Sequence, residues 1–418
     1  MTLSRFFKFF IFLFSLTNFA FSQTPQPFII GVGTHMGQKL LTSGQAKPLM
    51  NAAGSNSFRD EIFWGRIEEN KGVLTFPDRY RDMDSLVTTL NKEGGKPIIV
   101  LVYGNKFYDD NDGVESDEAI QAFTKYAKFV AQHFKGRVTL FEVWNEWNIG
   151  LGSTKKPRTT KSVDTYVKLL DSVYKAIKKE VPEAVVIGGS VAGPDDKWID
   201  KFIALGGLKK ADAFSVHPYF YDRTGRTRPE DAIDWLKDLN SKILKANNNQ
   251  SVPLYLTELG WPNDNVRRLL RRRWEPEQTA DFLIRFYLQA KSLNYVAGAW
   301  WYELVNTGTD SDNKEHNFGM AEKSLKPKPA LQAMAVVSKI INQATSLNVS
   351  TARNGLYKAS IQTAKNGKCI ALWTKDHSLT VDFAGESTYK QVLWGVFDHA
   401  NGRLRITETP LIMCEQNL

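Results

Sequence analysis

From residue 28 to about residue 304 the chain alternates short apolar runs with longer stretches whose apolar positions recur at helical spacing. The runs are FIIGVGTHM from residue 28, SNSFRDEIFW from 55, PIIVLVYG from 97 and VTLFEVWNEWN from 138. AVVIGGSVAG follows from 184, ADAFSVHPYFY from 211, VPLYLTELGW from 252 and VAGAWWYEL from 296. Several are rich in Val and Ile and apolar on both faces, the pattern of parallel strands covered on both sides. Between them lie amphipathic stretches. DEAIQAFTKYAKFVAQHF at residues 117–134 and VDTYVKLLDSVYKAIKKE at 163–180 are two, and 277–293, entered through Pro276, is a third.

Eight such strands separated by helices predict an α/β fold, a closed (β/α)₈ TIM barrel. An open doubly wound sheet would carry a glycine-rich turn after its first strand, and Gly31, Gly33 and Gly37 do not match that spacing. PKPALQAMAVVSKII at residues 327–341 is a helix placed to close the barrel. Beyond it the period changes to two. LYKASIQ, CIALWTK, LTVDFAG, YKQVLWG and LRITETPLIM are short alternating runs split by turn residues. The organisation expected is a catalytic barrel over residues 23–341 and a small C-terminal antiparallel, β-sandwich-like accessory domain over 342–418.

Residues 1–22 stand apart. Arg5 and Lys8 precede FFIFLFSL at 9–16, and Ala20 and Ser22 have the spacing of a signal-peptidase site. The run is shorter than the roughly 20 apolar residues of a membrane span. A cleaved signal peptide is expected, with export to the periplasm or the exterior and no stable membrane insertion. An oxidising location permits a disulfide between Cys369 and Cys414, and two buried thiols are the alternative.

Charge adds one further point. The mature chain keeps 52 basic residues against 45 acidic ones, and Arg267, Arg268, Arg271, Arg272 and Arg273 are bunched. RTGRTR at 223–228 follows the sixth strand. An acidic polymer would be drawn to such groups, while no nucleic-acid module accompanies them. A solvated helix face explains the arginine cluster equally well. No G-x-S-x-G elbow, H-E-x-x-H helix or phosphate loop is present, and six histidines are scattered, so no metal or other cofactor is expected.

Barrel active sites lie at the C-terminal ends of the strands. Glu146 ends the fourth run and Glu258 the seventh, and these strands face each other across an eight-membered ring. Two carboxyl groups meeting over a cleft can cut a glycosidic bond, one giving a proton and the other attacking or activating water. Glu61, Glu142 and Glu303 are rival carboxylates.

FEVWNEWN at 141–148 resembles the acid/base motif of the large clan of retaining glycosidases built on (β/α)₈ barrels, and TELGW at 257–261 resembles its nucleophile strand. Arg59 in strand two, His217 and Tyr219 in H-P-Y after strand six, and Trp300 or Trp301 at strand eight match the same clan, clan A. The resemblance is greatest to family 39 exopolysaccharide hydrolases, with family 5 cellulase-like enzymes next. VYGNKFY at 102–108 lacks the histidine that many family 5 members carry near the end of strand three, which leaves Tyr103 or Asn105 for that surface.

The resemblance implies Glu146 as general acid and then base, its pKa raised by partial burial or negative charge, and Glu258 as an ionised nucleophile helped by Arg59 and Tyr219. It implies that Asn145 binds the sugar 2-hydroxyl and that Trp300, rather than Trp301, floors the −1 subsite. His217 would orient Glu146 or touch sugar. His35 is expected to contact sugar, with Trp64 and Trp147 as platforms beyond. A monomer acting inside a β-linked microbial polysaccharide, anionic if the basic groups are involved, is the expectation. An exo-β-glycosidase, a transglycosylase and a sugar-binding barrel without catalysis are the alternatives.

Overall fold

The computed structural model describes residues 27–223, 225–264, 274–365, 367–383, 388–400 and 402–416. The expected signal peptide and the arginine cluster at 267–273 lie outside these residues. Eight parallel strands pair in sequence order and close on themselves. They are β1 Ile29–Gly33, β2 Ser57–Phe63, β3 Ile98–Val102, β4 Leu140–Val143, β5 Val185–Ala192, β6 Ala213–His217, β7 Leu254–Leu259 and β8 Val296–Trp301. The ring closes where Gly31 of β1 pairs with Trp300 of β8. All five residues of β3, IIVLV, are buried, as expected of a strand covered on both faces.

The main helices outside the ring are α1 Ser43–Ala53, α2 Trp64–Ile67, α3 Arg81–Lys92, α4 Asp117–His133, α5 Val163–Glu180, α6 Asp196–Ala204, α7 Pro229–Ala246, α8 Pro276–Ser292 and α9 Pro329–Gln343. Their starts are written in the sequence. Ser116 and Ser162 accept the free N–H groups of Ala119 and Thr165 at the heads of α4 and α5. Pro229, Pro276 and Pro329 sit in the first turns of α7, α8 and α9, where no N–H is missed. No helix among the described residues is long and apolar enough to cross a membrane.

A separate apolar cluster fills the ring itself and includes Ile98, Val100, Leu140, Tyr255 and Trp300. Trp300 donates to Ser57 Oγ at 2.8 Å and stacks on Tyr255. Its indole occupies the place a side chain at residue 31 would take. A Cβ there would stand 2.0 Å from the ring, so only glycine fits.

The tail is antiparallel. Its strands are β9 Ala344–Thr351, β10 Leu356–Thr363, β11 Lys368–Thr374, β12 Leu379–Asp382, β13 Gln391–Trp394, β14 His399–Ala400, β15 Arg403–Ile406 and β16 Leu411–Cys414. They form a five-stranded sheet ordered β13-β16-β11-β10-β9 and a three-stranded sheet ordered β12-β15-β14. Cys369 and Cys414 lie opposite each other on β11 and β16 and are joined in a disulfide.

A polar seam fastens this unit to α7 and α8. Fully buried Arg285 pairs with Glu230, its Nε 3.0 Å from Oε1, and also donates to the carbonyls of Lys375 and Glu408. Trp373 donates to Glu230 at 2.9 Å, and Trp394 and Thr409 donate to Asp281 at 2.8 and 2.7 Å. Arg228, at the head of α7, reaches Glu408 at 3.2 Å.

Candidate active site

A cleft of about 670 Å³ opens at the C-terminal ends of the barrel strands, and its wall includes Arg59, Asn145, Glu146, Tyr219 and Glu258. Arg59 projects from β2 into the ring and gathers the carboxylates. Its Nε lies 2.6 Å from Glu142, one Nη lies 2.6 Å from Glu258 and the other 2.8 Å from Asn145 Oδ1. Glu142 is wholly buried beneath the site, where Thr257 also donates to it at 2.8 Å, so it serves as counter-charge to Arg59.

Glu258 accepts a hydrogen bond from Tyr219 at 3.0 Å as well. Burial alone would push its carboxyl up. The His217 imidazole, the Arg59 guanidinium and the Tyr219 hydroxyl outweigh burial and hold it below the ordinary carboxylate range. It is therefore an anion, with one oxygen held by Arg59 and the other by Tyr219.

Glu146 follows β4 in a left-handed backbone conformation, φ 52°, that turns its side chain over the cleft. His217 Nδ1 lies 2.9 Å from Glu146 and 3.5 Å from Glu258. The other ring nitrogen faces Ser190 Oγ at 3.2 Å and Thr257 Oγ1 at 3.1 Å. Those hydroxyls donate elsewhere, Ser190 to Asn145 and Thr257 to Glu142. Nε2 is therefore placed to donate to these hydroxyls, and Nδ1 faces Glu146. His217 is fully buried and works from beneath, orienting Glu146 without reaching the cleft surface.

Ligand atoms of Glu146, His217 and Glu258 all lie within 4.8 Å of one another, a span that a cation could also bridge. Glu258 in this trio also has the Arg59 guanidinium, shared with Glu142, at 2.6 Å. The same distance brings the two glutamates within reach of one anomeric carbon.

Asn145 lines the cleft with its carbonyl fixed by Arg59 and Ser190, and its amide donates to Tyr103 at 3.1 Å. Tyr103 stands on the surface left open by the missing strand-three histidine and donates to Glu61 at 3.4 Å. Asn105, the other residue considered there, is buried and binds the Glu68 carbonyl. His35 lines the cleft beside Tyr302, with Nε2 3.0 Å from Glu303 in a contact that is electrostatic rather than aligned as a hydrogen bond.

Four aromatic expectations are corrected. Trp300 is sealed inside the ring, and Trp301 points the opposite way, stacked on Trp261 under the helices. Neither forms a subsite floor. Trp64 is buried against Tyr108 and Trp147 against Trp144, so neither is a platform. The aromatic surface is made instead by Tyr302, Tyr221 and Phe318, with Tyr302 edge-on to Tyr219. Tyr302 shares the inward face with Trp300, two residues on and one layer higher, and period-two counting would have found it.

Solved structures share this architecture. A family 39 glycoside hydrolase from Bacteroides cellulosilyticus is 23% identical, covering 93% of this chain and 81% of that one, with a TM-score of 0.74. A monomeric beta-xylosidase from Caulobacter crescentus is 17% identical over 84% and 75%, with a TM-score of 0.60. A family 5 enzyme (GH5_18) from Streptomyces cattleya, in complex with GlcNAc, is 14% identical over 77% and 82%, with a TM-score of 0.61. At these identities the likeness is one of fold. A search of curated proteins finds no match. The model of the cellulase family, glycosyl hydrolase family 5, matches residues 21–304, and the chain belongs to that family of clan A barrels as a glycoside hydrolase.

Proposed function

We propose that the chain is a retaining enzyme that cuts within a β-linked microbial exopolysaccharide, with Glu146 as acid/base and Glu258 as nucleophile. The observation that carries this reading is the approach of the two glutamates to within 4.8 Å. Retaining enzymes hold their carboxyl groups about 5 Å apart, whereas inverting ones leave roughly 6.5 Å or more for a water.

The steps follow from the site. Glu258 attacks the anomeric carbon while Glu146 gives its proton to the departing oxygen, so one C–O bond forms as another breaks. Glu146, now a carboxylate, takes a proton from water. That water's oxygen displaces Glu258 and restores both groups. Asn145 bonds the 2-hydroxyl beside the nucleophile, and Tyr302 offers its face to the ring.

An internal cut requires room on both sides of the bond. The cleft is lined by Gln38, Glu61 and Tyr103 on or after β1 to β3 and by Ile149, Leu151 and Gly193 after β4 and β5, so its wall extends well beyond the two glutamates. Residues 1–22 support an exported enzyme that meets its polymer outside the cytoplasm.

Proton NMR of the first product tests the mechanism. A β anomer appearing first is expected, and an initial α anomer would refute it. Chain-length analysis tests the mode, since release of monosaccharide alone would rule out internal cutting.

A further inference from the structure

Resting on that reading, we propose that Arg158 and Arg223 form a subsite for a carboxylate-bearing sugar on the leaving-group side of the cleft. Glu146 must reach the departing oxygen, so the leaving sugar lies over the chain that follows β4, β5 and β6. Arg158 comes from the first of these segments and Arg223 from the third, and both line the cleft. The wall between them is Ala192 and Gly193, too small to fill the space. A Cβ on Gly193 would stand 3.3 Å from an Nη of Arg223, so the guanidinium rests close against bare backbone.

Both arginines are exposed, and neither has a carboxylate partner among the described residues. This sets them apart from Arg59, Arg137 and Arg285, each tied to an acid. Asp222 is on the same wall. Lys314 and Glu315, which pair with each other at 3.3 Å, line the cleft as well and cancel in charge.

Each arginine has a support behind it. Buried Asp112 pins the loop that carries Arg158. It accepts from Ser153 Oγ at 2.5 Å, Thr159 Oγ1 at 2.8 Å and the Thr154 N–H at 3.0 Å. Gly150 lets this loop close, because a Cβ there would meet the Thr159 carbonyl at 2.5 Å. Arg223 lies over the Phe220 ring, 5.5 Å from its centre, in a cation–π contact. Two forked donors lining one cleft suit a carboxylate, which accepts in pairs from guanidinium.

The test compares β-linked polysaccharides that contain uronic acid with the same polymers after reduction of the carboxyl to hydroxymethyl. The readout is the ratio of kcat/KM on the two forms, using the full chain. Wild type should favour the acidic form. Arg158→Ala and Arg223→Ala should each lower that ratio about fivefold, the upper end for an exposed ion pair. Arg223→Lys should recover part of it, and raising salt should shrink the preference.

Equal rates on both forms, a ratio unmoved by either substitution, or no cleavage of any uronate polymer overturns the subsite. Anomeric retention is read separately on neutral substrate. An acid preference with inversion would therefore sink the retaining mechanism alone, and retention without acid preference would sink only this subsite.

Discussion

His217 Nδ1 stands 2.9 Å from Glu146 Oε1, placed to share the proton that the leaving sugar needs. Replacing His217 with Ala should therefore act through Glu146. Turnover should fall most for glycosides with poor leaving groups and least for aryl glycosides that leave unaided. A loss uniform across leaving groups would show that His217 merely supports the fold.

The two glutamates should separate in the same assay. Glu258→Gln should lose at least about 10³-fold in kcat on every substrate, because no nucleophile remains. Glu146→Gln should lose about 10²- to 10⁴-fold on polysaccharide and much less on activated aryl glycosides. Wild-type rates in both variants would remove the mechanism.

Arg59 makes ion pairs with Glu142 and Glu258, all within the buried site. Arg59→Met leaves both acids uncompensated, and a stability loss of about 3 to 5 kcal/mol in urea is expected. The pH profile should also move. Glu258 is held low in part by Arg59, so the acidic limb of kcat/KM should shift to higher pH in the variant. An unchanged limb would mean that Glu258 is not the group titrating there.

Burial lowers the proton affinity of His35, but the Glu303, Glu61 and Asp60 carboxylates outweigh it and raise its pKa from 6.5 to about 9. A folded-state pKa above the unfolded one adds stability that is complete below pH 6.5 and lost as pH rises through about 9. At full development it is worth roughly 3 kcal/mol. The Tm difference between wild type and His35→Gln should shrink over this window, and a constant difference would refute the assignment.

Trp300 and Tyr302 offer a contrast in roles. Trp300→Ala should cost about 3 to 5 kcal/mol of stability by emptying the ring interior. Tyr302→Ala should spare most stability and cut kcat/KM instead. The reverse pattern, with Trp300→Ala folding normally and failing to bind, would restore the floor role expected from sequence.

That contrast shows where the sequence was readable. Strands such as β3 are sealed on both faces, and their unbroken apolar runs announce them. Glu146 and Glu258 were visible because charge at the end of a buried strand is costly unless it is used. The tryptophans misled because an indole inside a barrel and one beneath a sugar are alike in a one-dimensional text. What separates them is depth along the barrel axis, set by strand stagger, and Gly31 opposite Trp300 was the available clue. Ser190 and Thr257, which fix the His217 ring, carried no signal, since small hydroxyl residues are common on buried strands.

Glu230 is held at once by Arg285 of its own barrel and by Trp373 of the tail. A chain truncated after α9 would strip Trp373 from Glu230 and the Lys375 and Glu408 carbonyls from Arg285, and open a sealed ion pair to water. The barrel is thus not a portable cassette. Swapping its tail for one from another protein should fail unless the incoming piece brings an indole and two carbonyls to the same spot. Since Arg228 of the β6–α7 connection also leans on Glu408, such a graft would loosen the shoulder of the cleft from behind.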